Sequence, residues 1–443
     1  MTKRKETKFK QTEIGMIPED WEVSVFNDIA EIDPKRELKK GEKAKYVGME
    51  DIKPFTRKIS NFQIKEFKGG SKFKNNDILF ARITPCLENG KTAFVNVFEQ
   101  DEIGFGSTEF IVFSSKNGIT DPMFIYYLLI SSEVRNIAIK SMTGTSGRQR
   151  VEKEVFKSIL VPFPPLSEQR AIAKILSDLD SKIELNQQMN KTLEAIGQAI
   201  FKHWFIDFEF PNEEGKPYKS SGGEMVYNEE LGKEIPKGWK VGKLGDGVLT
   251  NILSTGIIEF EGEKIYLDTS SVQNSEIIDM GTNIKFNERP SRANMQPEAN
   301  TVWFARMKNS KKTMFFDDYS SYAINNFILS TGFAGLGVKK HALYYIWSFV
   351  LRGEFELTKD NLCNGTTMQA INNKNIKKIR VLVPPDPLLE KFNFVIKPIY
   401  ERTYYNWLKR LYLSQIRDSL LPKLMTGKIR VPLEDVDNEE IEK

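Results

Sequence analysis

The chain repeats itself once along almost its whole length, and this duplication limits the possible folds more than any other feature. Residues 17–23, with the sequence IPEDWEV, return at 235–241 as IPKGWKV. Two further motifs return at a similar spacing, with 79–82 matched at 303–306 and 161–165 matched at 381–385. A repeat of roughly 220 residues far exceeds the roughly 20–50 residues of a solenoid unit, so it indicates a duplicated domain.

A long amphipathic helix is predicted after each copy, directly beyond its Pro-Pro pair. From Ile175 to Trp204 the apolar residues recur mostly three or four positions apart, and no proline lies between Leu166 and Phe210. This spacing is typical of a coiled-coil seam, and about 40 residues at ~1.5 Å each give a rod of roughly 60 Å. A similar stretch covers 385–427. We expect the two helices to pair, and a core helix of a larger domain is the alternative.

These patterns predict a mixed α+β protein with an internal pseudo-twofold repeat, in which two similar globular domains are separated by two long antiparallel, coiled-coil-like helices. The predicted segments are a charged N-terminal tail (1–13), a first domain (14–163), a first long helix (164–208), a linker (209–233), a second domain (234–384), a second long helix (385–427) and an acidic tail (428–443). Within the first domain, one helix is predicted over 122–140, with Ile137 on or near its apolar face. At the start of the first long helix, Ser167 is expected to act as the cap and Glu168 to interact with the helix dipole.

Composition excludes several classes of protein. The chain has 443 residues, of which 28% are charged, yet its net charge is only +4, so basic and acidic patches can coexist. It contains no apolar run near the ~20 residues of a membrane helix, and its N-terminus lacks the apolar core of a secretory signal. Two cysteines cannot build a disulfide framework, and two histidines leave few metal ligands. We therefore expect a cytoplasmic protein.

Motifs for catalysis are scarce. Gly90-Lys91-Thr92 resembles half of a phosphate-binding loop, but Pro85 occupies the position of its first glycine. Glu214 and Lys216 have the spacing of half a nuclease site, but they lie in the predicted linker. No paired C-x-x-C or H-E-x-x-H motif and no Asn-Pro-Pro-aromatic methyltransferase motif occurs in the sequence. We expect no catalytic, cofactor-binding or metal site, although nucleophile arrangements of Ser, His and Cys remain open.

Basic and polar loops recur in both copies and predict a surface for double-stranded DNA. Lysine and arginine neutralise phosphates, and Arg, Asn and Gln can form paired hydrogen bonds with base edges. Each loop taken alone is more simply a solvated turn, but the matched positions in two domains favour DNA reading. The candidate DNA-binding residues are Lys39, Lys40, Arg82, Asn89, Lys91, Thr145, Arg148, Gln149 and Arg150 in the first copy, and Arg306, Lys308, Lys311, Lys312, Thr366 and Gln369 in the second.

The sequence resembles the specificity subunits of type I restriction–modification systems over nearly its whole length. The residues that carry this resemblance are the twin Ile-Pro-x-x-Trp starts, the helix entry at 164–173 (PPLSEQRAIA), the helix end at 200–208 (IFKHWFIDF) and the C-terminal segment 417–431 (RDSLLPKLMTGKIRV). The motifs are specific when taken together, and each alone is modest.

This resemblance implies that each domain reads one half of a split DNA target. It implies that the long helices set the gap between half-sites and dock two methyltransferase (modification) subunits, with endonuclease (restriction) subunits joining for cleavage. S-adenosylmethionine is expected on the modification subunits, and this chain is expected to bind no cofactor and to catalyse nothing itself.

The two copies also differ, which predicts an asymmetric target. Residues 386–390 (DPLLE) lack the Ser-Glu-Gln of the first helix entry, and the second long helix is more aromatic. The second basic loop, 306–312, is shorter than its counterpart, 82–91. A protein-binding scaffold and, more remotely, a stand-alone DNA methyltransferase are the alternative functions. The bases read, the half-site spacing and the presence of a restriction subunit stay open.

Overall fold

The computed structural model describes residues 8–145 and 147–432. The chain divides into two compact units, Met1–Leu185 with Lys409–Lys443, and Asn186–Leu408. Each unit contains one globular domain and one half of each long helix. The predicted α+β class, with two similar domains and two long helices, is confirmed.

The first domain is built from short strands and helices that lead into the first long helix. Its strands are β1 (Phe9–Thr12), β2 (Gly15–Pro18), β3 (Glu22–Val25), β4 (Ala30–Ile32), β5 (Lys43–Val47), β6 (Gln63–Glu66), β7 (Ser71–Phe73), β8 (Ile78–Ala81), β9 (Thr92–Phe94), β10 (Gly104–Gly106), β11 (Phe110–Ser115) and β12 (Leu160–Phe163). Its helices are α1 (Phe26–Ile29), α2 (Pro122–Ile130) and α3 (Ser132–Lys140), followed by the long helix α4 (Leu166–Phe205).

The second domain has the same plan and ends in the second long helix. Its strands are β13 (Met225–Asn228), β14 (Lys233–Pro236), β15 (Lys240–Lys243), β16 (Thr250–Ile252), β17 (Lys264–Leu267), β18 (Val272–Gln273), β19 (Glu276–Ile277), β20 (Thr282–Ile284), β21 (Ala293–Met295), β22 (Thr301–Ala305), β23 (Thr313–Phe316), β24 (Phe327–Ser330), β25 (Phe333–Val338) and β26 (Arg380–Val383). Its helices are α5 (Ser321–Asn326), α6 (Leu343–Val350), α7 (Gly353–Asn361), α8 (Asn373–Ile376) and the long helix α9 (Asp386–Met425).

Equivalent sheets form in the two domains. In the first, four-stranded sheets run β4-β11-β8-β9 and β6-β5-β10-β7; in the second, they run β16-β25-β22-β23 and β20-β17-β24-β21. The central strands β8 and β22 are buried at every residue, as expected of short apolar runs covered on both faces. The strand before each long helix pairs with the strand after the Ile-Pro motif, as β12 with β3 and β26 with β15. The duplication in sequence is therefore a duplication of topology.

One helix prediction was wrong in its continuity. The stretch 122–140 forms two helices, because Ser131 between them is extended, with φ −62° and ψ 152°. Its hydroxyl donates to the carbonyl of Leu128 at 2.8 Å, and Asp121 caps the first helix by accepting two backbone N–H bonds. This break turns the second helix, so Ile137 is 44% exposed and does not lie on the apolar face as predicted.

Two segments assigned to a tail and a linker are strands in the structure. Strand β1, within the predicted tail, pairs antiparallel with β2, and β13, within the predicted linker, pairs with β14 in the same way. Glycines with positive φ, Gly15 (105°) and Gly232 (63°), allow the tight reversal in each hairpin. The sequence pattern missed these strands because they are four residues long and largely exposed.

Part of the predicted acidic tail, residues 428–432, makes specific contacts. The rest of that tail, from residue 433, lies outside the described residues. The guanidinium of Arg430 bonds both carboxylate oxygens of Asp20, at 2.8 and 2.7 Å, and both of Glu168, at 2.7 and 2.9 Å. Glu168 also accepts from the indole of Trp21 at 2.8 Å. Residues 428–432 therefore pack on the first domain, and Glu168 ties three segments together in addition to lying near a helix start.

The long helices pair antiparallel within each unit, as predicted. In the first unit, Arg417 of α9 bonds Asp180 of α4 at 2.8 Å, and Asp180 also accepts from the Tyr127 hydroxyl at 2.6 Å. In the second unit, a side chain at Gly197 of α4 would meet the hydroxyl of Tyr400 of α9 at 2.8 Å. Gly197, which weakens the helical pattern in the sequence, thus permits close packing. Within the described residues, no helix has both the length and the apolar character needed to cross a membrane.

A pair of asparagines, one buried and one half-buried, fixes the register of the helices in the second unit. Asn406, fully buried on α9, donates to the side-chain oxygen of Asn190 on α4 at 2.9 Å. Asn190 in turn donates to the carbonyl of Thr403 at 3.0 Å. Buried asparagine pairs in helical seams specify register at some cost in stability.

Replacing one asparagine of this pair should destabilise the protein more than replacing both. Asn406→Leu leaves the half-buried side-chain oxygen of Asn190 without its donor, which should lower the free energy of unfolding by about 1–3 kcal/mol. The double variant Asn190→Leu/Asn406→Leu removes both polar groups and should recover most of that loss. Urea unfolding checks this, with the exposed Gln188→Leu as the control. Equal losses in the single and double variants would contradict the coupling.

Candidate nucleic-acid interface

In the first domain, two loops separated by about 50 residues in sequence lie side by side. The first is 82–91 and the second is 142–150. Backbone hydrogen bonds join them, from Val151 N to the Arg82 oxygen at 2.9 Å and from Thr84 N to the Gln149 oxygen at 3.0 Å. The second loop closes on itself, since Thr143 and Arg150 exchange backbone bonds at 3.0 and 2.8 Å. We call this arrangement the paired loops.

The second domain has paired loops of the same construction, 306–312 and 364–369. Ile371 N donates to the Arg306 oxygen at 2.9 Å, and Lys308 N donates to the Gln369 oxygen at 3.0 Å. Asn364 and Ala370 exchange backbone bonds at 3.0 Å, as Thr143 and Arg150 do in the first domain. The structure therefore brings together, in each domain, the two loops that the sequence analysis singled out separately.

One lysine in each domain supports the paired loops from inside. Lys91 donates its ammonium to the carbonyl of Met49 at 2.8 Å, and Lys312 donates to the carbonyl of Thr269. Both lysines were candidates for DNA contact. The structure places their charged groups against the backbone of a neighbouring loop, where they hold the scaffold in place.

The three arginines at the bases of the loops also have internal partners. In the first domain, Arg150 bonds Glu109 through Nε and Nη2, with a shortest distance of 2.6 Å, and Arg82 pairs with Glu152 at 2.9 Å. In the second, Arg306 donates to the carbonyls of Phe333 and Ile371 at 3.1 and 3.3 Å. Burial lowers the pKa of Arg306 from its ordinary value. These arginines hold the bases of the loops, while the side chains of Arg150 and Arg82 remain 40% and 22% exposed.

Neither residue of the Glu109–Arg150 pair is present at the equivalent positions of the second domain. The carbonyl of Glu109 accepts from Arg82 N, and the equivalent carbonyl in the second domain belongs to Gly332, which accepts from Arg306 N. The position of Arg150 is occupied there by Ala370. Both partners are exchanged together, because either one alone would leave a charge without its counterpart. Glu109 was not among the predicted residues, because its only signal in the sequence is an acidic residue just before an apolar strand.

The remaining candidates are more accessible and differ in chemistry between the domains. Asn89, Thr145, Arg148, Lys308, Lys311 and Thr366 are exposed, and Gln149 and Gln369 are half-buried at equivalent places. Cations and amides that face solvent can contact phosphates and base edges. These eight residues form the candidate contact surface.

Lys39 and Lys40 are exposed in a different loop, 33–42. This loop is fastened by Arg36, which bonds Asp77 at 3.0 Å immediately before β8. Asp77 and the paired loops lie at opposite ends of that strand. The two lysines are therefore separate from the paired loops within the first domain.

Features of a catalytic centre are sparse in the described part of the chain. No group of three or more His, Cys, Asp or Glu residues suited to a metal ion occurs among residues 8–145 and 147–432. Cys86 and Cys363 are free thiols, and burial raises the pKa of the Cys363 thiol. A raised pKa favours the thiol over the nucleophilic thiolate.

The Glu109–Arg150 pair should make the second loop of the first domain sensitive to acid. Hydrogen bonding from Arg150 holds the pKa of the Glu109 carboxyl below its ordinary value. Its contribution to stability is therefore complete above the ordinary pKa, about 4.3, and is lost as the pH falls through the lower value of the folded state. Glu109→Gln should remove it at neutral pH and speed amide exchange at Thr143 and Arg150, measured by hydrogen exchange. Exposed Glu88→Gln is the control, and unchanged protection in Glu109→Gln would contradict the anchoring role.

Comparison with known proteins connects this architecture to one family. Residues 18–195 match the family model of the type I restriction modification DNA specificity domain. The chain is 29% identical over 448 residues to the type I restriction enzyme MjaIX specificity subunit of Methanocaldococcus jannaschii, covering 97% of this chain and 98% of that protein. It is 26% identical over 425 residues to the HindI specificity subunit of Haemophilus influenzae, covering 84% of this chain and 90% of that protein.

A solved structure shares the fold. The crystal structure of the S subunit of a type I restriction-modification system from M. genitalium aligns with a TM-score of 0.54 at 16% identity, covering 95% of this chain and 98% of that one. The duplicated domains, the long helices and these full-length matches agree with one another. Residues 18–195 therefore match a type I restriction modification DNA specificity domain, and the chain is similar to type I specificity subunits over nearly its whole length.

Proposed function

We propose that this chain is the DNA sequence-recognition subunit of a type I restriction–modification complex, with one domain for each half of a bipartite target. The observation that carries this function is the repetition of the paired loops, which share backbone hydrogen bonds but differ in side chains. A shared frame with exchanged side chains is what two readers of different sequences require. Because the two sets differ, the target is asymmetric.

Recognition begins with phosphates and is completed at base edges. Exposed Arg148, Lys308 and Lys311 supply positive charge without sequence preference, and that contribution weakens as salt rises. Amides such as Asn89 and Gln369 can then form paired hydrogen bonds with adenine, each worth about 1–3 kcal/mol in discrimination. Two half-sites read by one chain gain from a high effective concentration if their spacing matches that of the domains.

Partner subunits dock on the long helices in this proposal. In the second unit, α9 leaves Phe394 84%, Val395 42% and Tyr405 44% exposed. Phe394 and Tyr405 are eleven residues apart, about three turns, so they lie on the same face. Exposed aromatic residues are typical of the energetic centre of protein interfaces. This face suits a methyltransferase (modification) subunit.

The chemistry of the complex belongs to its partners. Two modification subunits would bind S-adenosylmethionine and methylate the target, endonuclease (restriction) subunits would cleave unmodified DNA, and this chain would be non-catalytic. It would act in the cytoplasm, where the complex has access to the chromosome.

Methylation mapping tests the recognition function. The chain should co-purify with a modification subunit, and the complex should methylate DNA at one interrupted, non-palindromic sequence. Exchange of the paired loops of the second domain should change one half of that sequence and leave the other half unchanged. A continuous or palindromic target would refute the proposal that each domain recognises one half-site. Transfer of methyl groups by the isolated chain would refute its non-catalytic role.

Charge removal should separate exposed cations from structural ones. Arg148→Ala or Lys308→Ala should weaken binding of the complex to DNA and reduce the slope of log affinity against log salt by about 1. Arg150→Ala should weaken binding mainly through loss of loop order, because its guanidinium is already paired with Glu109. Fluorescence anisotropy over a salt series measures both effects. Exposed Lys219→Ala, outside the paired loops, is the control, and a salt slope unchanged in all variants would contradict the assignment.

A further inference from the structure

A phenylalanine occupies a turn position that ordinarily requires glycine or asparagine. Phe55 follows Pro54 in an exposed turn and has a φ of +53°. In turns with proline in the second position, a positive φ in the third position selects Gly or Asn, because other side chains crowd the backbone there. An aromatic residue at such a position is strained, and strain of this kind concentrates at functional sites.

The second domain shows that the fold needs this backbone conformation but not the ring. Asn274 occupies the equivalent position with a φ of +52°. Its N–H donates to the Lys311 oxygen at 3.1 Å, just as the N–H of Phe55 donates to the Gly90 oxygen at 3.0 Å. Both residues thus brace the first of the paired loops in the same way. Asparagine does so without strain, so bracing alone does not account for the phenyl ring.

The ring of Phe55 packs against the first of the paired loops, 82–91, and still faces solvent. A side-chain carbon at Gly90 would lie 2.5 Å from the ring, so Gly90 is required for this approach. The guanidinium carbon of Arg135 lies 5.0 Å from the ring centroid, and its Nη2 donates to the Glu88 oxygen at 2.9 Å. Phe55 nevertheless remains 60% exposed. The ring is fixed from the protein side and accessible from the other.

We propose that Phe55 stacks on a DNA base at the edge of the half-site read by the first domain, an inference that rests on the proposed function. Every base presents an aromatic face, and apolar side chains that project beside a DNA-reading loop stack on or insert between bases. Phe55 touches the loop that carries Asn89, and Arg135 places a positive charge beside the ring, where it attracts the phosphate backbone. Both neighbours favour nucleic acid over a protein partner.

The substitution Phe55→Asn isolates the ring from the fold. It copies the second domain, relieves the strained φ and preserves the backbone bond to Gly90, so the thermal midpoint should stay the same or rise. Affinity of the complex with modification subunits for a fluorescent duplex carrying the mapped target should fall at least five-fold. The salt slope should be unchanged because no charge is removed, in contrast to Arg148→Ala. Phe55→Trp should restore binding, and Ile64→Ala, which removes a 61% exposed apolar side chain of the same domain, should have no effect.

The outcomes separate this inference from the proposed function. Normal binding by the wild-type complex and equal binding by Phe55→Asn would overturn the stacking role alone. Loss of assembly with the modification subunits in Phe55→Asn would also overturn it, because the ring would then serve a protein interface. A wild-type complex that fails to bind the duplex would overturn the proposed function and this inference with it.

Discussion

Backbone hydrogen bonds between two loops of each domain are the constraint on which the rest of the site depends. The backbone oxygens of Arg82 and Arg306 each accept a bond from the segment that follows the second loop, through Val151 and Ile371. These bonds involve no side chain, so the loops can change sequence without losing their mutual position. A frame held by the main chain leaves the side chains free to differ, which is what the proposed reading of two different half-sites by one fold requires.

At two places where the domains carry different side chains, the interacting partner residue differs as well. Glu109 and Arg150 form an ion pair in the first domain, where the second has Gly332 and Ala370. The Phe55 ring packs on Gly90, where the second domain has Asn274 beside Lys311. The first difference avoids an unpaired charge, and the second avoids a steric clash with the ring. The two domains are thus related by topology and separated by matched local changes.

The pairing of the long helices likewise combines a general apolar pattern with specific polar contacts. Their apolar periodicity is enough to drive pairing, but periodicity alone leaves the register poorly defined. Asp180 with Arg417 in the first unit, and Asn190 with Asn406 in the second, restrict it because polar groups in a seam must meet their partners. Gly197 adds a steric constraint, as it allows Tyr400 to approach. In the second unit, α9 leaves Phe394 84% exposed, and this face is the docking surface that we propose for a modification subunit.

The sequence by itself determined the duplication, the two long helices and the loops that carry cations, because these follow from local pattern and repetition. It did not reveal the break at Ser131 or the short exposed strands β1 and β13, where periodic signals are weak. Only the tertiary structure decided which cation faces solvent. Arg148 and Arg150 are two residues apart, yet the first is exposed and the second is held by Glu109, 41 positions away in sequence. The environment of a charge depends on such distant partners, so no local pattern could have distinguished these neighbours.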